Sequence, residues 1–376
     1  MTRWVDDKLA RLRALYPEER VRRSRARWEA VWRGDWAALD RYPFVLAPLQ
    51  ADYYAVGQTP AQRLRHLLDE HIAHGRLEDD AIPTLFPGCN QAVMPNLFGA
   101  PAERFARERK ARPIIDGRAA ARALAAPVLG PEARHWLAML RYFRERVGDT
   151  IPLRVADMQG PLDAAAQLWS YEALFICCHE DPATYDHLMN RLVEAFLLLW
   201  EAQAAVAGDA LHPSHLNVWS WMPLPRAVTL SMDSLVMMSP AFCRRWCLPA
   251  LQRIAARFPD GMVIHSCGDV RQHRELLQGT PFIRGIHFGQ MTLEQVVEAG
   301  FDASTVLLAG THYANRAGAF QAIRNGRLRV DLTFSGAAPA EPPSTWRSAD
   351  WQTLAERCRD IAGLAAETAA ALRTHP

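Results

Sequence analysis

The stretch His265-Ser266-Cys267-Gly268-Asp269 puts an imidazole and a thiol two residues apart at the end of an apolar run, GMVIHSC (261–267). Side chains alternate faces along a strand, so His265 and Cys267 point the same way. Together they offer two arms of a metal site. Zinc accepts both ligands and lowers the pKa of a bound thiol or water. A catalytic zinc needs a third protein ligand and keeps one position open. His287 closes the next apolar run, FIRGIHF (282–288). Neighbouring strands lie about 4.8 Å apart, so His287 is the expected third ligand. His312 ends the run after that and is the fallback. The alternative is a metal-free pocket in which the same residues are packed and hydrogen-bonded.

A second constellation is acidic. Asp157 and Asp233 are the expected catalytic carboxylates, orienting substrate or carrying a proton. Gln50, Asp52, Gln159, Trp219, Trp221, His312 and Tyr313 are the expected substrate-binding residues. All of them stand at or just beyond the end of an apolar run. The competing reading makes such acids helix caps or loop ion pairs, and such tryptophans plain packing. Asp163, Asp181 and Asp302 are assigned to caps and loop ion pairs. Asp181 directly precedes Pro182, as at a helix start.

These residues need elements to position them. Eight short apolar runs cover 43–48, 81–86, 151–158, 215–221, 261–267, 282–288, 305–310 and 328–334. Between them lie helix-periodic segments such as TLEQVVEAG, with Thr292 as N-cap and Gly300 as stop. Strands alternating with helices imply parallel βαβ units, and eight of them imply an α/β fold, a (β/α)8 TIM barrel. Active residues of such a barrel sit at the C-terminal ends of its strands. Residues 1–40 predict an N-terminal helical extension, with Trp28, Trp32 and Trp36 on one face. Residues 41–376 predict the barrel, with no linker between the two. The Pro/Ala-rich stretch 336–346 predicts a loop over the barrel mouth.

Composition narrows the function classes. The 376 residues are 49% hydrophobic and 22% charged, which is ordinary globular material. A formal net charge of +2 gives no electrostatic case for nucleic acid. No run approaches the roughly 18 apolar residues of a membrane span, and the charged N-terminus lacks a signal-peptide core. A cytoplasmic protein is expected. Seven cysteines without a CxxC pair suggest free thiols and no disulfide framework. No GxGxxG, GxxxxGK[ST] or GxSxG occurs, which removes the main support for dinucleotide, P-loop and α/β-hydrolase readings.

Three stretches taken together resemble the uroporphyrinogen decarboxylase superfamily, which includes zinc-dependent methylcobamide:thiol methyltransferases and cobalamin-independent methionine synthase. They are Met158-Gln159-Gly160-Pro161-Leu162-Asp163, Met238-Ser239-Pro240-Ala241-Phe242 with Leu248-Pro249, and His265-Ser266-Cys267-Gly268-Asp269. The resemblance spans roughly residues 40–370 and implies the barrel. It also implies a metal-dependent methyl (alkyl) transferase with zinc or another divalent metal. The substrate would be a small thiol or methylated compound, with a corrinoid protein as a further partner and methyl donor. The departures are specific. Where the decarboxylase carries an arginine-rich motif, this chain reads Pro48-Leu49-Gln50-Ala51-Asp52, so uroporphyrinogen is not the expected substrate. The methyltransferases' later cysteine is absent at Gly336-Ala337. A metal-assisted lyase or decarboxylase on a small polar acid, and a non-catalytic binding barrel, stay open as alternatives. So does a homodimer.

Overall fold

Runs of Val, Ile and Leu flanked by helices build parallel strands whose two faces are both covered. The computed structural model describes residues 3–47, 55, 57–88, 90–105, 108–214, 216, 219–339 and 343–374. Its strands are β1 (Val45–Leu46), β2 (Ala102–Phe105), β3 (Glu108–Ala111), β4 (Leu153–Arg154), β5 (Leu211–His212), β6 (Val228–Ser231), β7 (Met262–Ser266), β8 (Ile283–Thr292), β9 (Val306–His312) and β10 (Val330–Ser335). A six-stranded parallel sheet runs β1-β10-β9-β8-β7-β6. Isolated bridges carry the rest of the circuit. Gln159 pairs with Ser231, and Leu85 pairs with Leu153. The Asp80 amide donates to the Phe44 carbonyl at 2.9 Å, returning the path to β1. The architecture is the α/β TIM barrel, regular over six strands and bridged over the remaining arc. An antiparallel hairpin, β2-β3, is an addition that the apolar runs did not reveal.

Seven of the eight runs contain a strand or a bridge in the structure. The run 215–221 does not: none of its described residues is in a strand. The barrel strand on this arc is β6, the shorter and less apolar VTLS, which pairs with β7. Apolarity misled because Trp219 is buried for another reason. Its ring lies 4.5 Å from those of His71 and His74, beneath the barrel.

The N-terminal helices Arg3–Leu15 and Glu18–Arg33 pack at the end where the strands begin. The Trp28 indole donates to the Asp80 carbonyl at 3.0 Å. Trp32 packs with Val263, Val306 and Leu308. A Cβ on Gly285 would meet its ring at 3.1 Å, so the bare glycine backbone of β8 admits it. The helix stops because Gly34 takes φ +69°. Trp36 therefore lies beyond the helix and stacks on Tyr42. Among the described residues no helix is long and apolar enough to cross a membrane.

Asp331 of β10 is 2% exposed. Burial pushes it up to about 7, although Ser220 and Arg154 pull the other way. The folded chain thus keeps a proton that the unfolded chain releases near pH ~4. Stability should fall as pH rises from ~4 through ~7, by a few kcal/mol at most, at roughly 1.4 kcal/mol per unit. Asp331→Asn should remove that contribution, read as a smaller difference between urea midpoints at acid and alkaline pH. An unchanged difference would show that Asp331 is ionised without cost.

Candidate metal centre

β7 ends at the barrel mouth with His265 and Cys267 on one side, as strand alternation requires. His265 Nε2 lies 3.4 Å from Cys267 Sγ and 3.6 Å from Asp233 Oδ1. The Cys267 amide donates to the same Asp233 oxygen at 2.8 Å. Asp233, His265 and Cys267 form the one group of His, Cys, Asp and Glu among the described residues whose ligand atoms all lie within 4.8 Å of one another.

His287 is opposite His265 in the β7–β8 register, where the sequence placed it. Its role in the geometry differs from that expectation. Its Nδ1 lies 2.8 Å from His265 Nδ1, so one ring nitrogen donates to the other. It stands behind His265 and is not part of the converging group. An N–H on His265 Nδ1 leaves Nε2 with a lone pair aimed at Cys267 and Asp233. That is how a ligand histidine is usually oriented.

Asp233 reaches the site on a 3₁₀ turn, Asp233–Met237. Asp163, assigned from sequence to a cap or loop ion pair, holds that turn. Its buried carboxylate accepts from the amides of Asp233 at 2.7 Å and Ser234 at 3.2 Å, and from the Tyr171 hydroxyl at 3.3 Å. Burial raises Asp163 to about 7, despite the hydrogen bonds from Ser234 and with help from the Asp233 charge. Asp157 is 5% exposed and accepts from the Ser231 hydroxyl at 2.9 Å. The Cys267 thiol is pushed up to about 12, first by burial, then by Asp233, with Asp157 and Asp163 adding to it. Three carboxylates around one thiol make this end of β7 a place that favours a cation.

The other expected site residues separate. The Gln159 carbonyl oxygen accepts from the Gln167 side chain beside the mouth. His312 ends β9, exposed, and its Nδ1 accepts from the Ala314 amide at 3.2 Å. Gly336, at φ +68°, makes room for its ring. Tyr313 turns outward and donates to Asp360 of the last helix at 2.9 Å. Trp219 and Trp221 lie at the opposite end of the barrel. Trp221 packs under the Arg25 guanidinium at 4.1 Å and against His212. Neither lines the mouth: Trp219 packs with Trp28 and Trp221 with Arg25, both of the N-terminal helices. Gln50, Asp52 and Cys89 lie outside the described residues. A cleft of about 500 Å³, lined by Pro87, Asn90, Glu132 and Trp136, opens elsewhere and contains none of the converging group.

Gly289 faces the site from β8. A Cβ there would come 2.7 Å from His265 Cε1 and 3.2 Å from Cys267 Sγ. Gly289→Ala should displace both side chains and weaken metal binding about tenfold, with the circular dichroism spectrum unchanged. Unaltered affinity would place the binding atoms elsewhere.

The family model described as uroporphyrinogen decarboxylase (URO-D) matches residues 108–311, more than half of the chain, and the chain belongs to this family. Among solved structures, a methyltransferase from Methanosarcina mazei superposes with a TM-score of 0.59 at 16% identity, covering 89% of this chain and 97% of the other. At that identity the likeness is one of fold. A B12-independent methionine synthase from Shewanella sp. W3-18-1, solved in complex with selenomethionine, is more distant. It gives a TM-score of 0.46 at 10% identity, over 86% of this chain and 96% of that one. No curated protein matches the sequence.

Proposed function

We propose that the chain is a metal-dependent methyl (alkyl) transferase acting on a small thiol or methylated substrate. The supporting observation is the convergence of Asp233 Oδ1, His265 Nε2 and Cys267 Sγ at the mouth. The set fits a borderline divalent ion such as zinc: one imidazole backed by a second ring, one thiol and one carboxylate. His265, Cys267 and Asp233 would hold the ion, and His287 would orient His265. When bound, such an ion supplies a Lewis acid that keeps a thiol as thiolate at neutral pH.

The chain's own residues do the rest. Asp163 fixes the turn that presents Asp233. Asp233 anchors the Cys267 amide and so sets the position of its sulfur. Asp157, held by Ser231, would orient substrate or carry a proton. A small molecule is the proposed substrate, and a corrinoid protein the proposed donor. Uroporphyrinogen is not the proposed substrate, since Pro48-Leu49-Gln50-Ala51-Asp52 contains no arginine to hold its carboxylates.

The test incubates the zinc-loaded chain with methylcobalamin and 2-mercaptoethanol and follows the methyl thioether by mass spectrometry. Product that rises with zinc content and disappears with a chelator is expected. Thioether formation indifferent to chelators, or none beyond the uncatalysed rate, would overturn the reading in favour of a lyase or a binding barrel.

A further inference from the structure

The end of the barrel opposite the metal centre carries a cleft of about 590 Å³. It opens where β8, β9 and β10 begin, against the last turn of the helix Glu18–Arg33. Trp32, Arg33, Asp260, Arg284, Thr305 and Arg329 are among the residues that line it. The volume falls within the range of small-molecule sites, about 300–1,000 Å³.

Charges at this cleft do not balance. Asp260 is committed elsewhere: its oxygens accept from the Arg226 amide at 2.9 Å and the Arg226 guanidinium at 3.1 Å. Asp302, next to the lining residue Ser304, accepts from the Ser304 amide at 2.8 Å and from the Gln278 side chain at 3.1 Å. The arginines have no such partners. Arg329 gives Nε to the Ala303 carbonyl at 2.8 Å and one terminal nitrogen to the Trp32 carbonyl at 3.1 Å. Those bonds fix the guanidinium and leave its charge unneutralised. Arg284 makes no hydrogen bond or ion pair among the described residues. Its stem lies across Gly261, at φ +83°, where a Cβ would meet Arg284 Cγ at 2.6 Å. Arg33 has a loose contact with Glu29 at 3.9 Å. Burial first, and then the Arg284 charge, lower the Arg329 pKa, with Asp302 opposing. The Trp32 indole adds a donor. It is 6% exposed, and its N–H finds no acceptor among the described residues.

We propose that this cleft binds a phosphate dianion, either free or as the ester of a small polar molecule. A guanidinium is a planar fork of donors that matches phosphate oxygens two at a time. Arg284 and the terminal nitrogen of Arg329 that bonds neither carbonyl are the cationic contacts, with Arg33 as a third charge on the lining. Two to three unopposed positive charges suit a doubly charged oxyanion better than a monocarboxylate. An oxyanion shared by Arg284 and Arg329 turns their mutual repulsion into attraction to one ligand. This inference rests on neither the metal centre nor methyl transfer.

The test is calorimetric titration of the full chain with inorganic phosphate and, separately, with glycerol 3-phosphate, at an ionic strength held constant with sodium chloride. Saturable binding at one site per chain is expected. Arg284→Ser should weaken it at least ~10-fold, as for a lost hydrogen bond to a charged group. Because Arg284 is exposed and bonds to no described residue, this variant should keep the wild-type Tm. Arg141→Ser, on the exposed side of the helix Pro131–Val147 and outside the cleft, should leave the affinity unchanged. Tighter binding of the ester would assign a phosphorylated small molecule, and equal affinities would assign the free ion. Absence of saturable binding by either probe at millimolar concentration would overturn the proposal. So would wild-type affinity in Arg284→Ser, or an equal loss in Arg141→Ser.

Discussion

Replacing His265 with alanine is expected to lower zinc affinity by more than ~100-fold, whereas His287→Ala should cost about 10–100-fold, as expected for a residue acting through a ligand. The ordering follows from the rings. His265 Nε2 faces both Cys267 and Asp233, whereas the His287 Nδ1 contact is to His265 itself. Asp233→Asn should fall with the ligands, because it removes the carboxylate charge while leaving an oxygen for the Cys267 amide. Competition against a chromophoric chelator measures all three. Equal losses for His265 and His287 would restore His287 as a direct ligand, and an unaffected Asp233→Asn would remove Asp233 from the set.

The largest effect on stability is expected at Asp80. Its side chain is fully buried between Arg27 at 2.8 Å and Arg41 at 2.7 Å, and it also accepts from the Ser24 hydroxyl and the Phe44 amide. Asp80→Ala leaves two guanidinium groups, 11% and 15% exposed, without their shared carboxylate. Breaking a buried pair by removing one partner costs ~3–5 kcal/mol. Asp40 makes a closer contact with the same Arg27, at 2.6 Å, but its side chain is 59% exposed. Asp40→Ala should therefore cost no more than ~1 kcal/mol. Urea unfolding of the two variants separates burial from distance as the controlling factor. Similar losses would mean that the Asp80 network is solvated and does not clamp the N-terminal helices.

The H-x-C pair was legible because a strand has a period of two, and no tertiary information is needed to put His265 and Cys267 on one face. His287 was legible as a neighbour for the same reason. Its orientation was not, since it depends on which nitrogen His265 leaves free. Asp233 was visible as an acid near the mouth, but its convergence with the pair depends on Asp163, seventy residues earlier, binding the amides of its turn. No local pattern records that contact. Asp163 lies in the first turn of a helix, where acids are common, and this concealed its burial. The barrel was legible from its alternating runs, except where two tryptophans made a run whose described residues form no strand look more apolar than VTLS. Those tryptophans serve the other end of the molecule, a distinction that hydrophobicity alone does not draw.

The most direct measurement is X-ray absorption at the zinc edge on the loaded protein, wild type beside Cys267→Ser. About one metal per chain is expected, with one sulfur at ~2.3 Å and nitrogen or oxygen ligands at ~2.0–2.2 Å, the sulfur contribution vanishing in the variant. A chain that takes up no zinc, iron or cobalt at micromolar levels, or a bound zinc whose spectrum contains no sulfur, would contradict it.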